Sequence, residues 1–423
     1  MILERMYETM NKYILMTMGI SGMGGGQMYI RNKMLYMENQ GWKIFVYAGL
    51  PGKVVIPELK RFSSRIDPIL TSAPFVYSKK FVESYIRKIL SDCDITDKDN
   101  VIIETGTAHM SYWGELIAKA CNGRHICFLL DERNDLLVRK EYIPFFYYKY
   151  ERNELVGING KALPLLFRGY KNCCDKEGPA LPALCQNVVE DYPIPSNINL
   201  TKADYTFGSI GRLEKPYVPY MIEQIVEYVK KHQNKTFNLL LIGGTNDVNR
   251  VEEIKKATKN INNLNVVITG YLFPIPLRIF PMVDLFISSA GSAGVSYGQN
   301  IPTIALDAAD EKPIGILGYT TNHSLYRDGE EIIELAEWLR LIFEENFLSQ
   351  HSYRPKKNDN FELLKKHDKF LLSCKKEKDY YDVMSIRPSG KDMIKRIATL
   401  LIGNMNMVKL KEKINNYRTK SNE

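Results

Sequence analysis

The 423-residue sequence lacks several features that define common protein classes. No apolar run approaches the ~20 residues that a membrane-spanning helix needs, and the longest candidates, residues 13–20 and 126–130, are the size of strands. The N-terminal stretch carries acidic residues and has no apolar core of the kind found in secretory signals. We therefore expect a cytoplasmic protein.

Metal-binding spacings are also missing. Seven cysteines and six histidines are scattered along the chain, and no CxxC pair is present. This pattern predicts free thiols in a reducing compartment and no metal site. Cys173 and Cys174 are adjacent, but a disulfide between neighbouring residues is strained.

Net positive charge is confined to the C-terminal section. Residues 351–423 hold 18 Lys+Arg and 9 Asp+Glu, whereas residues 1–350 hold 39 and 40. A near-neutral body argues against a broad nucleic-acid-binding surface. The basic section is compatible with an anionic membrane surface as partner. A solvated polar tail is the alternative.

Apolar segments, glycine-rich loops and amphipathic segments alternate in a pattern typical of parallel βαβ units. In the first half, strands are expected at 13–18, 43–48, 101–104 and 125–130, and Gly41 is placed at a helix C-terminus. A Pro-rich stretch at 170–200 reads as a linker. Beyond it, strands are expected at 205–210, 237–242, 265–269, 284–288 and 302–306, with a mostly irregular segment at 307–326. The sequence thus predicts two doubly wound α/β domains, residues 1–195 and 196–350, and a basic helical section, 351–423.

Residues 142–150 are densely aromatic. We expect a helix that packs these rings on the first sheet. The alternative is a surface that faces an acceptor or a membrane.

Three loops of the second domain follow predicted strands and carry groups suited to a diphosphate. The first contains Arg212 and Lys215, the second Gly243 and Gly244, and the third runs from Ser288 to Gly294 and opens a helix. Cations, hydroxyls and helix N-terminal amides all bind phosphate oxygens. Because ligands bind at the carboxyl ends of parallel strands, these loops together predict a nucleoside-diphosphate site. Any one of them alone could be structural.

The loop after the first strand is rich in glycine, with Gly22, Gly24, Gly25 and Gly26. Its spacing differs from the dinucleotide fingerprint, and no acidic residue ends the second strand, so an NAD site is not expected. Ligand contact and close packing of strand on helix both remain open for this loop.

The sequence resembles a known family. It is similar to GT-B glycosyltransferases of bacterial polysaccharide synthesis, family 4-like. The segments that carry the similarity are GMGGGQMYIRNKMLYMENQGWKIFVY in the first half and then, in this order, GRLEKPY, LLLIGG, NVVITGY, VDLFISSAGSAG and NIPTIALD. The resemblance covers the chain to about residue 345. It implies two Rossmann-like domains facing a cleft, with the acceptor on the first and a nucleotide-sugar donor on the second.

The resemblance also assigns roles to residues. Arg212 and Lys215 would hold the donor diphosphate, and Tyr271 would lie near the base. The remaining donor-binding candidates are Gly243, Gly244, Ser289, Ser292, Ala293 and Gly294, and the four glycines of the first loop would face them across the cleft. Ile287 and Val295 stand where the family usually has two glutamates. That departure leaves open whether the anomeric configuration is retained.

His109 is the favoured catalytic residue, because it follows a strand, precedes a helix and matches a histidine often found there in the family. It could act as a base or orient the sugar, or it could simply cap or pack the helix. Glu104 and Asp131, each at a strand end, are the alternative bases.

The function expected is transfer of a sugar from a nucleotide-diphosphate-sugar to a hydroxyl of a glycan or lipid-linked acceptor. We expect no cofactor and no metal to be required. The alternatives are a sugar-nucleotide epimerase of the same fold and a non-catalytic sugar- or partner-binding protein. Residues 407–414 are expected to be free to touch anionic lipid at the inner face of the membrane.

Overall fold

The computed structural model describes residues 10–131, 134–170, 177–245, 247–354, 360–375 and 377–420. Cys173 and Cys174 lie outside these ranges. The chain forms two compact units. The first contains residues 10–22, Tyr29–Leu184 and the C-terminal helices, and the second contains Met23–Met28 and the chain from Cys185 to residue 354.

The first unit is built on a sheet of five parallel strands in the order β2-β1-β3-β4-β5. Its elements in chain order are β1 (Asn11–Thr17), α1 (Gly25–Asn39), β2 (Lys43–Ala48), α2 (Lys79–Asp92), β3 (Asn100–Thr105), α3 (Ala108–Ala120), β4 (Arg124–Leu129), α4 (Asn134–Leu137), α5 (Ile143–Glu151), β5 (Leu155–Gly157) and α6 (Ala162–Leu166).

Burial explains why these segments are strands and helices. Almost every residue of β1, β3 and β4 is buried, as expected for strands covered by helices on both faces. Gly41 has a φ of +81° just after α1, which confirms the predicted helix end. Phe145 and Phe146 of α5 are fully buried, so the aromatic segment packs into the core as predicted.

The second unit contains a six-stranded sheet in the order β13-β12-β11-β7-β8-β9, and a two-stranded pair of β10 and β6. Its elements are β6 (Val189–Glu190), β7 (Tyr205–Ile210), α7 (Tyr217–Lys231), β8 (Phe237–Ile242), α8 (Val248–Thr258), β9 (Leu264–Ile268), β10 (Ile275–Pro276), β11 (Leu285–Ser288), α9 (Ala290–Tyr297), β12 (Thr303–Leu306), β13 (Pro313–Ile316), α10 (Leu335–Phe343) and α11 (Phe347–Gln350).

Five strands of this sheet are parallel, as predicted, and β13 pairs antiparallel with β12. The sequence predicts a mostly irregular segment at 307–326, and β13 lies within it. The reason for this difference is its composition: β13 is four residues long and contains both proline and glycine, which are depleted in strands.

Three helices end the chain, α12 (Asn360–Ser373), α13 (Gly390–Ile402) and α14 (Asn404–Lys420), and they belong to the first unit. Met407 and Val408 are 5% exposed and pack in the same cluster as Trp113 and Ile117 of α3. The expectation that residues 407–414 are free is therefore wrong for the start of this segment. Across the described residues, no helix combines the length and apolar character needed to cross a membrane.

Candidate functional site

In the second unit, backbone hydrogen bonds hold together the loops that follow β7 and β8. The Gly211 N–H donates to the carbonyl of Ile242 at 3.0 Å, and the Leu213 N–H donates to the carbonyl of Gly244 at 3.1 Å. The loop that carries Arg212 is thereby fixed against the glycine pair. Two of the three predicted donor-binding loops thus form one surface at the carboxyl edge of the sheet.

Glycine is required in this surface because neighbouring atoms occupy the space of a side chain. A Cβ on Gly243 would lie 1.7 Å from the carbonyl oxygen of Gly211, and one on Gly244 would lie 2.7 Å from the ring of Tyr271. Tyr271 follows β9, the next strand of the sheet. The phenol ring therefore packs on Gly244, and a third strand end joins the site.

Charged groups converge at the same place. The Arg212 guanidinium, 44% exposed, lies 3.2 Å from the carboxylate of Glu214. Burial raises the pKa of the Tyr271 phenol, the charge of Glu214 adds to the increase and that of Arg212 opposes it. The Lys215 side chain is exposed, and the backbone N–H of Lys215 donates to the Arg212 carbonyl at 3.2 Å. The site therefore offers two cations beside a partly buried ring.

Glu214 is a residue that sequence analysis missed. Its Oε2 atom is buried and has no hydrogen-bond partner among the described residues. A buried carboxylate oxygen without a donor is costly, so this atom is suited to accept a hydrogen bond from a ligand hydroxyl. Its place within GRLEKP, between the two predicted cations, was the only signal in the sequence.

Helix α9 brings the third loop to the site. The Ser288 side chain accepts a hydrogen bond from the Ile210 N–H at 2.9 Å, which ties β11 to the end of β7. The Ser292 Oγ lies 3.7 Å from the position that a Cβ would take on Gly211. The first-turn amides of a helix have no partner within the helix, and they attract anions. Ser289 precedes this turn, whereas Ala293 is fully buried and Gly294 lies near Gln186.

A loop after β13 also reaches the start of α9. The Ser324 carbonyl accepts a hydrogen bond from the Ala290 N–H at 2.5 Å. His323, beside it, lies 2.6 Å from Glu330. Burial opposes ionisation of Glu330, but hydrogen bonds from Thr321, the Asp328 N–H and His323 outweigh it and lower its pKa to about 2.

The predicted glycine loop lies between β1 and α1, and its Gly22 belongs to the first unit, whereas Gly24, Gly25 and Gly26 belong to the second. Gly22 has a φ of +68° and donates its N–H to the Lys53 carbonyl at 2.9 Å, which fixes the turn. Gly24 precedes α1, while Gly25 and Gly26 form its first turn and are exposed. The Ser21 Oγ is buried and has no partner among the described residues.

Glu104 lies in a closed network at the end of β3. Its carboxylate accepts hydrogen bonds from the hydroxyls of Tyr13 and Tyr29, and the Lys33 Nζ lies 3.7 Å away. Burial and the nearby Glu104 raise the pKa of Tyr13 well above its usual value. These partners occupy the carboxylate and tie β3 to β1 and α1.

His109 is the second residue of α3 and is partly buried. Burial lowers its pKa, the charge of Asp392 opposes that effect, and the charges of Lys395 and Lys411 add to it. The buried Thr107 Oγ1, two residues earlier, has no partner among the described residues. Asp131 follows β4, and desolvation raises the pKa of its carboxyl.

The described residues contain no group of three His, Cys, Asp or Glu side chains arranged to hold a metal ion. The described cysteines, Cys93, Cys121, Cys127, Cys185 and Cys374, form no disulfide.

No protein-family model matches the sequence, and no curated protein matches it. Solved structures do match. A glycosyltransferase from Rickettsia africae ESF-5 is 14% identical with a TM-score of 0.54, over 97% of this chain and 99% of that one. Anabaena HepE, solved in complex with UDP and glucose, is 13% identical with a TM-score of 0.55, over 86% and 100%. The predicted GT-B fold, with its two α/β units and parallel sheets, is confirmed by this likeness.

Proposed function

We propose that this protein is a glycosyltransferase that takes a sugar from a nucleotide-diphosphate-sugar. The observation that carries the proposal is the convergence of Arg212, the Gly243–Gly244 pair, Tyr271 and the N-terminus of α9 at one edge of the second sheet. HepE, which shares the fold, has been solved with UDP-glucose. A uridine diphosphate-sugar is therefore the first donor to test.

The geometry suits each part of such a donor. Arg212 offers a planar fork of N–H donors for the diphosphate, and Lys215 adds a mobile charge. The base would lie along the ring of Tyr271, and a ribose hydroxyl would donate to the unpartnered Glu214 Oε2. Ser289, Ser292 and the free amides of the first turn of α9 would complete the phosphate and sugar contacts, and Ala293 and Gly294 would lie beside them.

In the reaction, the bond between the sugar and the phosphate oxygen breaks, and a bond from the sugar to an acceptor hydroxyl oxygen forms. Negative charge grows on the leaving diphosphate, so fixed cations and helix amides lower the barrier. The acceptor hydroxyl loses its proton, and we propose His109 as the group that receives it or orients the sugar. Asp131 is the second candidate for this proton. Glu104 holds β1, β3 and α1 in place.

We assign the acceptor to the first unit, where the unpartnered Ser21 and Thr107 hydroxyls supply polar groups. The family 4-like motifs favour an acceptor in surface polysaccharide synthesis, either a glycan or a lipid-linked sugar. Such an enzyme would work in the cytoplasm at the inner face of the membrane.

Incubation of the purified protein with a panel of nucleotide-sugars tests the proposal. Release of a nucleoside diphosphate together with a glycosylated acceptor is the expected result. An isomerised donor without release would instead identify an epimerase. Tight binding of the nucleotide without turnover on any donor or acceptor would identify a binding protein and contradict the proposal.

A further inference from the structure

Helix α13 presents its polar side chains to the protein and its apolar side chains outward. Asp392 and Thr399 are buried, and the Tyr142 hydroxyl donates to Asp392 at 3.1 Å. The Arg396 guanidinium donates to the carbonyl of Phe75. A surface helix normally buries its apolar face. The orientation of α13 is the reverse, and specific polar contacts hold it in place.

The outward face is continuous and apolar. Ile394, Ile397 and Leu401 are spaced three and four residues apart, so they form one stripe, and they are 68%, 51% and 80% exposed. Other large apolar side chains extend this stripe, and they are Met393, Leu400, Ile402 and Met405. A contiguous apolar patch of this kind on a protein surface marks an interaction site. We call these seven residues the α13 stripe.

Cations surround the α13 stripe. Residues 390–420 contain eight Lys and Arg but only two acidic residues, Asp392 and Glu412, and the first of these is buried. Lys391, Lys409 and Lys413 are exposed. The acidic residue of α13, Asp392, is buried and already paired with Lys395 at 3.2 Å, so it does not offset the exposed Lys391, Lys409 and Lys413.

Neighbouring elements add further cations at both ends of α13. Ser78 and Asn404 are hydrogen-bonded at 3.0 Å, which places the exposed Lys79 and Lys80 at the start of α2 close to the C-terminal end of α13. At the other end, the guanidinium of Arg139 packs against Gly390. The cations thus form a rim around an apolar centre.

We propose that the α13 stripe docks this protein on an anionic membrane surface. Apolar side chains would enter the boundary between headgroups and acyl chains, and the surrounding cations would bind lipid phosphates. Charge complementarity favours this occupant over a symmetric contact between two copies, since that contact would bring like cations together. The proposal deepens the membrane placement in the proposed function and rests on it.

The anchoring of α14 makes this surface rigid. Met407 and Val408 are buried, and the Lys411 Nζ donates to the Tyr77 hydroxyl at 3.0 Å. The start of α14 is therefore fixed to the first unit directly after α13. A docking surface on fixed helices sets the orientation of the first unit relative to the lipid.

Sedimentation with vesicles tests the proposal on the full chain without substrate. The vesicles contain equal parts of phosphatidylcholine and phosphatidylglycerol, or phosphatidylcholine alone. We expect binding to the anionic vesicles, and we expect the triple variant Ile394→Ser, Ile397→Ser, Leu401→Ser to bind about a hundredfold more weakly. The matched control replaces three exposed apolar residues of the second unit, Leu277→Ser, Met282→Ser and Ile332→Ser, and should bind as the wild type does.

A second set of variants tests the cations. Lys391→Gln, Lys409→Gln and Lys413→Gln should each lower affinity roughly fivefold, while Lys255→Gln, Lys256→Gln and Lys259→Gln on the second unit should leave it unchanged. Circular dichroism checks that every variant is folded.

Equal sedimentation of the wild type and the stripe variant would overturn the proposal. So would a wild-type dimer that the stripe variant abolishes and that never binds vesicles. Transfer to a soluble acceptor is measured separately on the same variants. Loss of vesicle binding with transfer intact, or the reverse, distinguishes failure of this proposal from failure of the proposed reaction.

Discussion

The carbonyl oxygen of Gly211 lies 1.7 Å from the position that a Cβ would take on Gly243. Since both atoms are backbone-fixed, Gly243→Ala must push the loops after β7 and β8 apart. We expect a loss of about 3 kcal/mol in the free energy of unfolding, together with loss of nucleotide binding. Gly19→Ala, whose Cβ would lie 3.7 Å from Leu50, is the control and should change stability by about 0.5 kcal/mol or less. Urea unfolding of both variants measures the difference, and equal stability would show that the loops can separate freely.

Tyr271 provides the second prediction. If the base of the donor lies along this ring, Tyr271→Phe should keep nucleotide affinity, whereas Tyr271→Ala should lower it by about tenfold, the effect of losing one aromatic contact. Isothermal titration with UDP measures both. An affinity that falls equally in the two variants would instead indicate that the hydroxyl, and not the ring, makes the contact.

His109 gives a prediction about pH. Because burial lowers its pKa below the usual 6.5, the imidazole should be neutral at pH 7 and competent as a base. Transfer should therefore persist below pH 6.5, and His109→Asn should reduce it about a hundredfold without changing donor affinity. His351→Asn, an exposed histidine of the second unit, is the control. Normal transfer by the His109 variant would remove this residue from the mechanism.

Glu115 links pH to the stability of the first unit. Burial opposes its ionisation, but Lys149 at 2.9 Å and His125 at 2.8 Å outweigh that effect and lower its pKa to about 2. A carboxyl pKa that is lowered on folding stabilises the folded state at pH values above 4.5, which is the pKa of the group in the unfolded chain. This stabilisation is lost as the pH falls towards 2. Acid unfolding should therefore set in over this interval.

Replacement of Glu115 should remove that dependence. Glu115→Gln should cost about 3 kcal/mol at pH 7, because it leaves Lys149 buried beside one fewer carboxylate, and its stability should change less between pH 4.5 and 2. Glu253→Gln breaks the exposed pair with Arg250 and should cost under about 1 kcal/mol. Equal costs for the two changes would contradict the importance of the buried network.

The sequence predicted the parallel sheets well because their strands are continuous apolar runs ended by glycine. The bounds expected for β7 and β8 match the structure at both ends. It missed β13, whose pairing depends on β12 and not on its own residues. The surroundings of Glu104 were equally hidden, since Tyr13, Tyr29 and Lys33 come from elements far away in the chain. The reversed orientation of α13 could not be predicted either, because an amphipathic pattern predicts that the apolar face is buried, whereas here the polar Asp392 and Thr399 are buried.

The central claim is that the edge of the second sheet binds the diphosphate of a sugar donor through Arg212. The most direct test is the single-turnover release of nucleoside diphosphate by Arg212→Ala, beside Arg340→Ala as a control on the exposed face of α10. We predict release about a hundredfold slower for Arg212→Ala, at the wild-type rate for Arg340→Ala, and with unchanged thermal unfolding in both. Release by Arg212→Ala at the rate of the control would contradict the account.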